Sequence, residues 1–246
     1  MASRAGTVAM DAPNAAPVSI AVSADESVSA LLVSPAGAHA ALVLAHGAGA
    51  GMRHPFLAAV AVGLAARGIA TLRYQFPFME RGAKRVDPSQ LAQATVRAAV
   101  DAVRSCLPGL PLFAGGKSFG GRMTSQAEAA APLAGVAGLV FLGFPLHAAG
   151  RPARERAAHL AAVERPMLFL QGTRDDLADL GLIETVASEL GARATLSIVD
   201  DADHAFHVRA RSGRNDAEAL AQMLDVMATW LAAVAASAAA SARPRA

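Results

Sequence analysis

Cysteine occurs once in this chain of 246 residues, as Cys106, so no internal disulfide can staple the fold. Lysine is nearly missing as well: it stands only at positions 84 and 117, and arginine supplies the remaining positive charge. Charged residues reach only 17% against 54% apolar residues, a balance that excludes a disordered chain. The net charge of +2 is small, and no dense Lys/Arg patch interleaved with aromatics exists, which argues against a nucleic-acid partner. The densest basic cluster, Arg81-Gly82-Ala83-Lys84-Arg85, reads as a solvated loop. No H-E-x-x-H motif is present and the cysteine has no histidine at ligand spacing, so neither a metal nor a cofactor is expected. Met1 to Pro17 lacks the continuous apolar core of a secretory signal. No segment reads as a membrane span, and Leu231–Ala242 is too short and too small-sided to be one. The cytoplasm is therefore the default location.

What is present is a series of short, continuous apolar runs. Ala41–Ala45, Ile69–Leu72, Leu112–Ala114, Gly138–Leu142 and Met167–Leu170 each suit a strand buried on both faces of a parallel sheet. Before them, Pro17–Ser23 and Val28–Ser34 alternate as two antiparallel edge strands would. Helical patterns fill the gaps. Asp87-Pro88-Ser89-Gln90 reads as a helix start, with Asp87 as N-cap and proline at the first helical position. Val96, Val100, Val103 and Leu107 then line one face, and Cys106 is expected to pack near its end. A last helix starts near Asp216 and frays beyond about Ala239. Strands alternating with helices predict a doubly wound, mostly parallel α/β sheet. The expected organisation is a flexible leader over 1–16, one α/β domain over 17–239 and a frayed tail over 240–246.

In such sheets, sites form beyond the carboxyl ends of the strands. Three residues satisfy that rule. Ser118 lies in Gly116-Lys117-Ser118-Phe119-Gly120, a G-x-S-x-G pentapeptide between an apolar run and a potential helix start. Small residues two positions either side are what a sharp strand-to-helix turn demands. Asp175 follows Met167–Leu170, and His204 follows Leu196–Val199. The order Ser, Asp, His is that of α/β-hydrolases. A neutral serine hydroxyl needs a histidine to take its proton and a carboxylate to hold that ring. Asp176 is an alternative acid, Asp203 adjoins His204, and His207 is a competing histidine assigned to the surface. A phosphate-loop reading of Gly-Lys-Ser fails, because the glycine it needs at position 111 is Pro111. His46-Gly47-Ala48-Gly49-Ala50-Gly51 follows the run ending in Ala45, and its small residues let backbone N–H groups approach a substrate oxygen. Ala48 or Gly49 would supply one N–H of an oxyanion hole and Phe119 the other.

These segments, with His54-Pro55-Phe56, Gly115–Met123, Phe144–His147, Gln171–Asp175 and Asp203–Phe206, resemble one α/β-hydrolase family. It groups bacterial hydrolases with testis-expressed proteins and a subunit of the NSL chromatin complex, and is more distantly similar to dienelactone hydrolases. The resemblance covers roughly residues 28–235 and implies nucleophile Ser118, acid Asp175 and base His204. It implies no particular substrate. Gly51-Met52-Arg53 departs from the family pattern, which has proline and often an acidic residue there.

About twenty residues, Pro145 to Arg165, separate the strands between which lidded hydrolases insert a cap, enough for a loop and one short helix. An open site is expected, suited to small carboxylic esters or thioesters as substrate. His46, His147, Phe76 and Arg151 are expected to line its entrance, and Arg53, Arg81 and Arg122 are candidates to attract an anionic substrate.

Overall fold

The computed structural model describes residues 15–241. The expected leader over 1–16 and tail over 240–246 lie largely outside that range; where they enter it, Ala16 already opens the first strand and the last helix continues to Ser241.

Eight strands form one sheet: β1 Ala16–Ala21, β2 Ser27–Val33, β3 Ala40–Ala45, β4 Ile69–Tyr74, β5 Leu112–Lys117, β6 Val136–Leu142, β7 Met167–Gly172 and β8 Ala194–Val199. Their order is β1-β2-β4-β3-β5-β6-β7-β8. β3 to β8 run parallel, and β1 and β2 are antiparallel. Of the two expected edge strands only β1 is an edge. β2 lies inside the sheet, with Leu32 opposite Leu72 of β4 and Leu31 opposite Pro17 of β1.

The apolar runs are continuous because helices cover both faces. Ala41, Val43 and Ala45 of β3 join the core under α3 Ser89–Cys106, α4 Phe119–Ala130 and α5 Leu180–Leu190. Ala40, Leu42 and Leu44 point the other way, into the core under α1 Pro55–Ala65 and α6 Asp216–Ser241. With side chains alternating across a strand, only a sheet buried twice needs six apolar residues in succession. A four-residue helix, α2 Pro77–Glu80, follows β4. Between β6 and β7 there is a loop with one 3₁₀ segment, Glu155–Ala162, and no large cap.

Three local expectations are corrected. Asp87 does not cap α3, whose N-cap position is Pro88; its carboxylate instead accepts from Phe78 N–H (2.8 Å) and from Arg81 (2.6 Å). The proline sets an extended backbone there and leaves the aspartate free to serve tertiary structure. Cys106 is exposed, because the buried face of α3 runs through Ala92, Val96, Ala99, Val100 and Val103. The last helix, α6, starts at Asp216 as expected, but the reading that no segment suits a membrane span is corrected: its 26 residues are, by length and composition alone, apolar enough to cross one. Here Ala219, Met223, Leu224, Met227 and Leu231 are packed against the sheet.

Candidate active site

The carboxyl ends of β3, β5, β7 and β8 converge on one surface cavity of about 360 Å³. Ser118 stands at the end of β5 as N-cap of α4, with φ of 51°. A non-glycine residue rarely takes that conformation, and the neighbours show how it is held. A Cβ on Gly116 would come within 2.5 Å of Ala45 O, and one on Gly120 within 2.6 Å of both Ala45 Cβ and His46 O. The small residues therefore let the elbow nest against the end of β3. Ser118 N–H donates to Leu142 O at 3.1 Å, fixing the turn from the other side.

His204 comes from the loop after β8. Its Nε2 lies 2.9 Å from Ser118 Oγ and its Nδ1 2.7 Å from Asp175 Oδ2. Asp175 sits on the turn after β7 with a fully buried side chain. Its Oδ2 also accepts from Gln171 Nε2 at 2.5 Å, and its Oδ1 from Leu177 N–H at 2.9 Å. These bonds leave the carboxylate one orientation, toward the imidazole. With Nδ1–H facing the carboxylate, Nε2 carries the lone pair that can accept the serine proton.

The alternatives weighed from sequence separate clearly. Asp176 is exposed. Asp203 spends its Oδ1 on Ala205 and His207 N–H, shaping the turn that carries His204. His207 pairs at the surface with Asp216 at 2.8 Å, and that carboxylate raises its pKa. A second serine–histidine hydrogen bond, Ser125 with His159 at 2.8 Å, is structural: Ser125 is fully buried in α4 and no carboxylate among the described residues bonds the ring. Burial lowers the His159 pKa to about 4, with Arg122 adding to the effect.

Ala48 and Gly49 line the same cavity as Ser118. Phe119 is the first residue of α4, so its N–H is one of those a helix start leaves without an intrahelical acceptor. Its ring is buried against Phe76 and Phe78.

The entrance residues expected from sequence are corrected. His46 and Phe76 are fully buried beneath the cavity. His46 Nδ1 donates to Gly47 O (2.7 Å), and its Nε2 accepts from Phe76 N–H (3.0 Å). Burial lowers its pKa to about 4, so the ring stays neutral and pins the loop after β3 to the one after β4. His147 is also buried: its Nδ1 donates to Ala148 O, and its Nε2 accepts from Asp179 N–H, tying the loop after β6 to the start of α5. Arg151 is exposed in a bend outside the cavity. Arg81 is engaged by Glu26 and Asp87 and is not among the residues that line the cavity.

The lining side chains that sequence reasoning passed over are His54, Phe56, Leu57, Lys117, Leu177 and Ala205. All but Leu57 carried a signal: His54 and Phe56 lie in the His54-Pro55-Phe56 segment, and Lys117, Leu177 and Ala205 lie within two residues of Ser118, Asp175 and His204. His54 caps α1, accepting Phe56 N–H on Nδ1 at 3.3 Å, and Phe56 stacks on Phe206 at 5.6 Å. The walls are mainly apolar, and polar groups cluster at the serine.

Comparison with known proteins agrees with this architecture. A family model described as alpha/beta hydrolase domain matches residues 38–232. A dienelactone hydrolase from Anabaena variabilis superimposes with a TM-score of 0.69 at 24% identity, covering 89% of this chain and 97% of that one. A serine hydrolase without a lid from Xanthomonas campestris gives 0.69 at 21% identity, covering 89% and 96%. An esterase domain from Rhodothermus marinus gives 0.64 at 16% identity, covering 89% and 98%. At these identities the likeness is one of fold.

Proposed function

Because the chain belongs to the alpha/beta hydrolase domain family, we propose that it is a serine hydrolase of small carboxylic esters or thioesters, working through an acyl-enzyme. The observation that carries this reading is the continuous hydrogen-bond line from Ser118 Oγ through His204 to Asp175. In it, Ser118 attacks the acyl carbon while His204 Nε2 takes its proton. Asp175 stabilises the imidazolium, and His204 then returns the proton to the leaving group. Water, activated by the same imidazole, releases the acid and frees Ser118. Phe119 N–H, with Ala48 or Gly49 N–H, receives the developing oxyanion.

The cavity supports a small substrate. Its roughly 360 Å³ and apolar walls of Ala48, Ala50, Phe56, Leu57 and Leu177 suit a compact apolar acyl or alkyl group. The open rim favours a soluble substrate over a lipid interface. The finer grouping with the testis-expressed and NSL-subunit proteins is part of this proposal and rests on the motifs around Ser118 and the loop after β3.

The test is labelling of the full chain with a fluorophosphonate, read by intact mass, with Ser118→Ala and His204→Ala as controls. One adduct on the wild type, absent from both variants, followed by turnover of short acyl esters, is the expected result. No adduct on folded wild-type protein would overturn the reading and leave a binding protein on a hydrolase fold.

A further inference from the structure

Lys117, one of two lysines in the chain, is the last residue of β5 and reaches to the loop that carries His204. Its Nζ donates to the main-chain carbonyl of His204 and lies 5.3 Å from the centre of the Phe206 ring on the same loop. Phe206 itself has φ of 65°, so this loop is held in a conformation its sequence does not favour. Across from the ammonium is Gly143. A methyl group on Gly143 would meet Lys117 Nζ at 2.9 Å, His204 Nδ1 at 3.3 Å and Asp175 Oδ2 at 3.4 Å. The charge thus faces the His204–Asp175 hydrogen bond across a one-methyl gap. The other ionisable groups around it are Asp203 on the same loop as His204, and His54 across the cavity.

We propose that Lys117 is a positioning residue: its ammonium clamps the main chain at His204 to the strand bearing Ser118 and keeps the imidazole aimed at the serine. The inference rests on reading Ser118 as the nucleophile. The bond to the carbonyl fixes where the ring sits, which decides whether Nε2 reaches Ser118. Burial lowers the Lys117 pKa to about 8 against the pull of Asp175 and Asp203, and the group is charged at neutral pH.

Three substitutions test the clamp. Lys117→Met removes the bond at similar length, Lys117→Gln keeps a shorter donor, and Lys117→Arg keeps a charged donor. The measurement is the second-order rate of fluorophosphonate labelling of the full chain at about pH 7, with the melting temperature beside it. Lys117→Met should label at least about tenfold more slowly, the scale of a mispositioned base. Lys117→Arg should recover most of the wild-type rate. A lysine that only supports the fold would lower the melting temperature and leave the labelling rate of the folded protein in place, and that result overturns the proposal, as does a wild-type rate in Lys117→Met. Should Lys117→Met not fold, the rate of Lys117→Gln decides alone. No adduct on the wild type overturns the nucleophile reading and this inference with it; normal wild-type labelling with unchanged variants overturns the inference only.

Discussion

Replacing Gly120 by alanine should damage both stability and reactivity. The new Cβ would stand 2.6 Å from Ala45 Cβ, 2.6 Å from His46 O and 2.8 Å from Ala45 C. Two of these atoms belong to backbone at the end of the central strand β3, which cannot swing aside as a side-chain tip can. Overpacking a rigid core commonly costs about 1–3 kcal/mol, and backbone contacts place this case near about 3 kcal/mol. For a chain of this length each kcal/mol lowers the melting temperature by about 2–4 °C, so a fall of about 6–12 °C is expected. The displaced segment leads into Gly47–Gly49, so fluorophosphonate labelling of Ser118 should slow in the same variant. The control lies in the same loop. A Cβ on Gly49 meets nothing within 4 Å, and Gly49→Ala should change stability by less than about 1 kcal/mol. Thermal unfolding by circular dichroism, with labelling read by mass, checks both. A Gly120→Ala protein melting within about 2 °C of wild type would refute the close nesting of the serine turn on β3.

Two more expectations are local. Asp87→Ala strips Phe78 N–H of its acceptor in the interior and should cost about 1–3 kcal/mol in urea unfolding, with Asp87→Asn losing less because one acceptor oxygen remains. The His207–Asp216 pair should make a small, pH-dependent contribution to stability. The side-chain bond and charge of Asp216 raise the His207 pKa above 6.5, so the contribution is complete below pH 6.5 and disappears as pH rises through the raised native value. Melting curves of His207→Gln and wild type should therefore differ at about pH 5.5 and coincide at about pH 9. An unchanged difference across that range would contradict the pairing.

Much of this architecture was legible because its causes are local or periodic. The unbroken apolar run of β3 announces a strand covered twice, since each face needs alternate residues. The glycines around Ser118 announce a crowded turn, and the structure shows the atoms that would collide with anything larger. The positions of Ser118, Asp175 and His204, each after an apolar run, follow from the rule that strand ends face one edge of a parallel sheet. That rule brings loops to the same edge but does not aim their side chains. The aiming comes from Gln171 and Leu177 N–H on Asp175, contacts that composition and spacing do not encode.

What escaped the sequence was decided between segments far apart in the chain. His46, Phe76 and His147 have the chemistry of site residues, yet each lies buried, satisfying backbone groups of neighbouring loops or packing against them. Asp87 has the spacing of a helix cap but answers the N–H of Phe78 and the guanidinium of Arg81. Nothing in the sequence marks Phe56, Leu177 and Lys117 as cavity walls; they line it because the start of α1, the end of β5 and the loop after β7 meet there. Sequence by itself determined the α/β-hydrolase architecture and the three residues that meet at the strand ends, because hydrophobic period, steric tolerance at a turn and chain order act through neighbours in the chain. Tertiary structure alone decided which polar side chains face the cavity and which support its floor, because burial and hydrogen-bond partnership depend on what another segment places within about 3 Å.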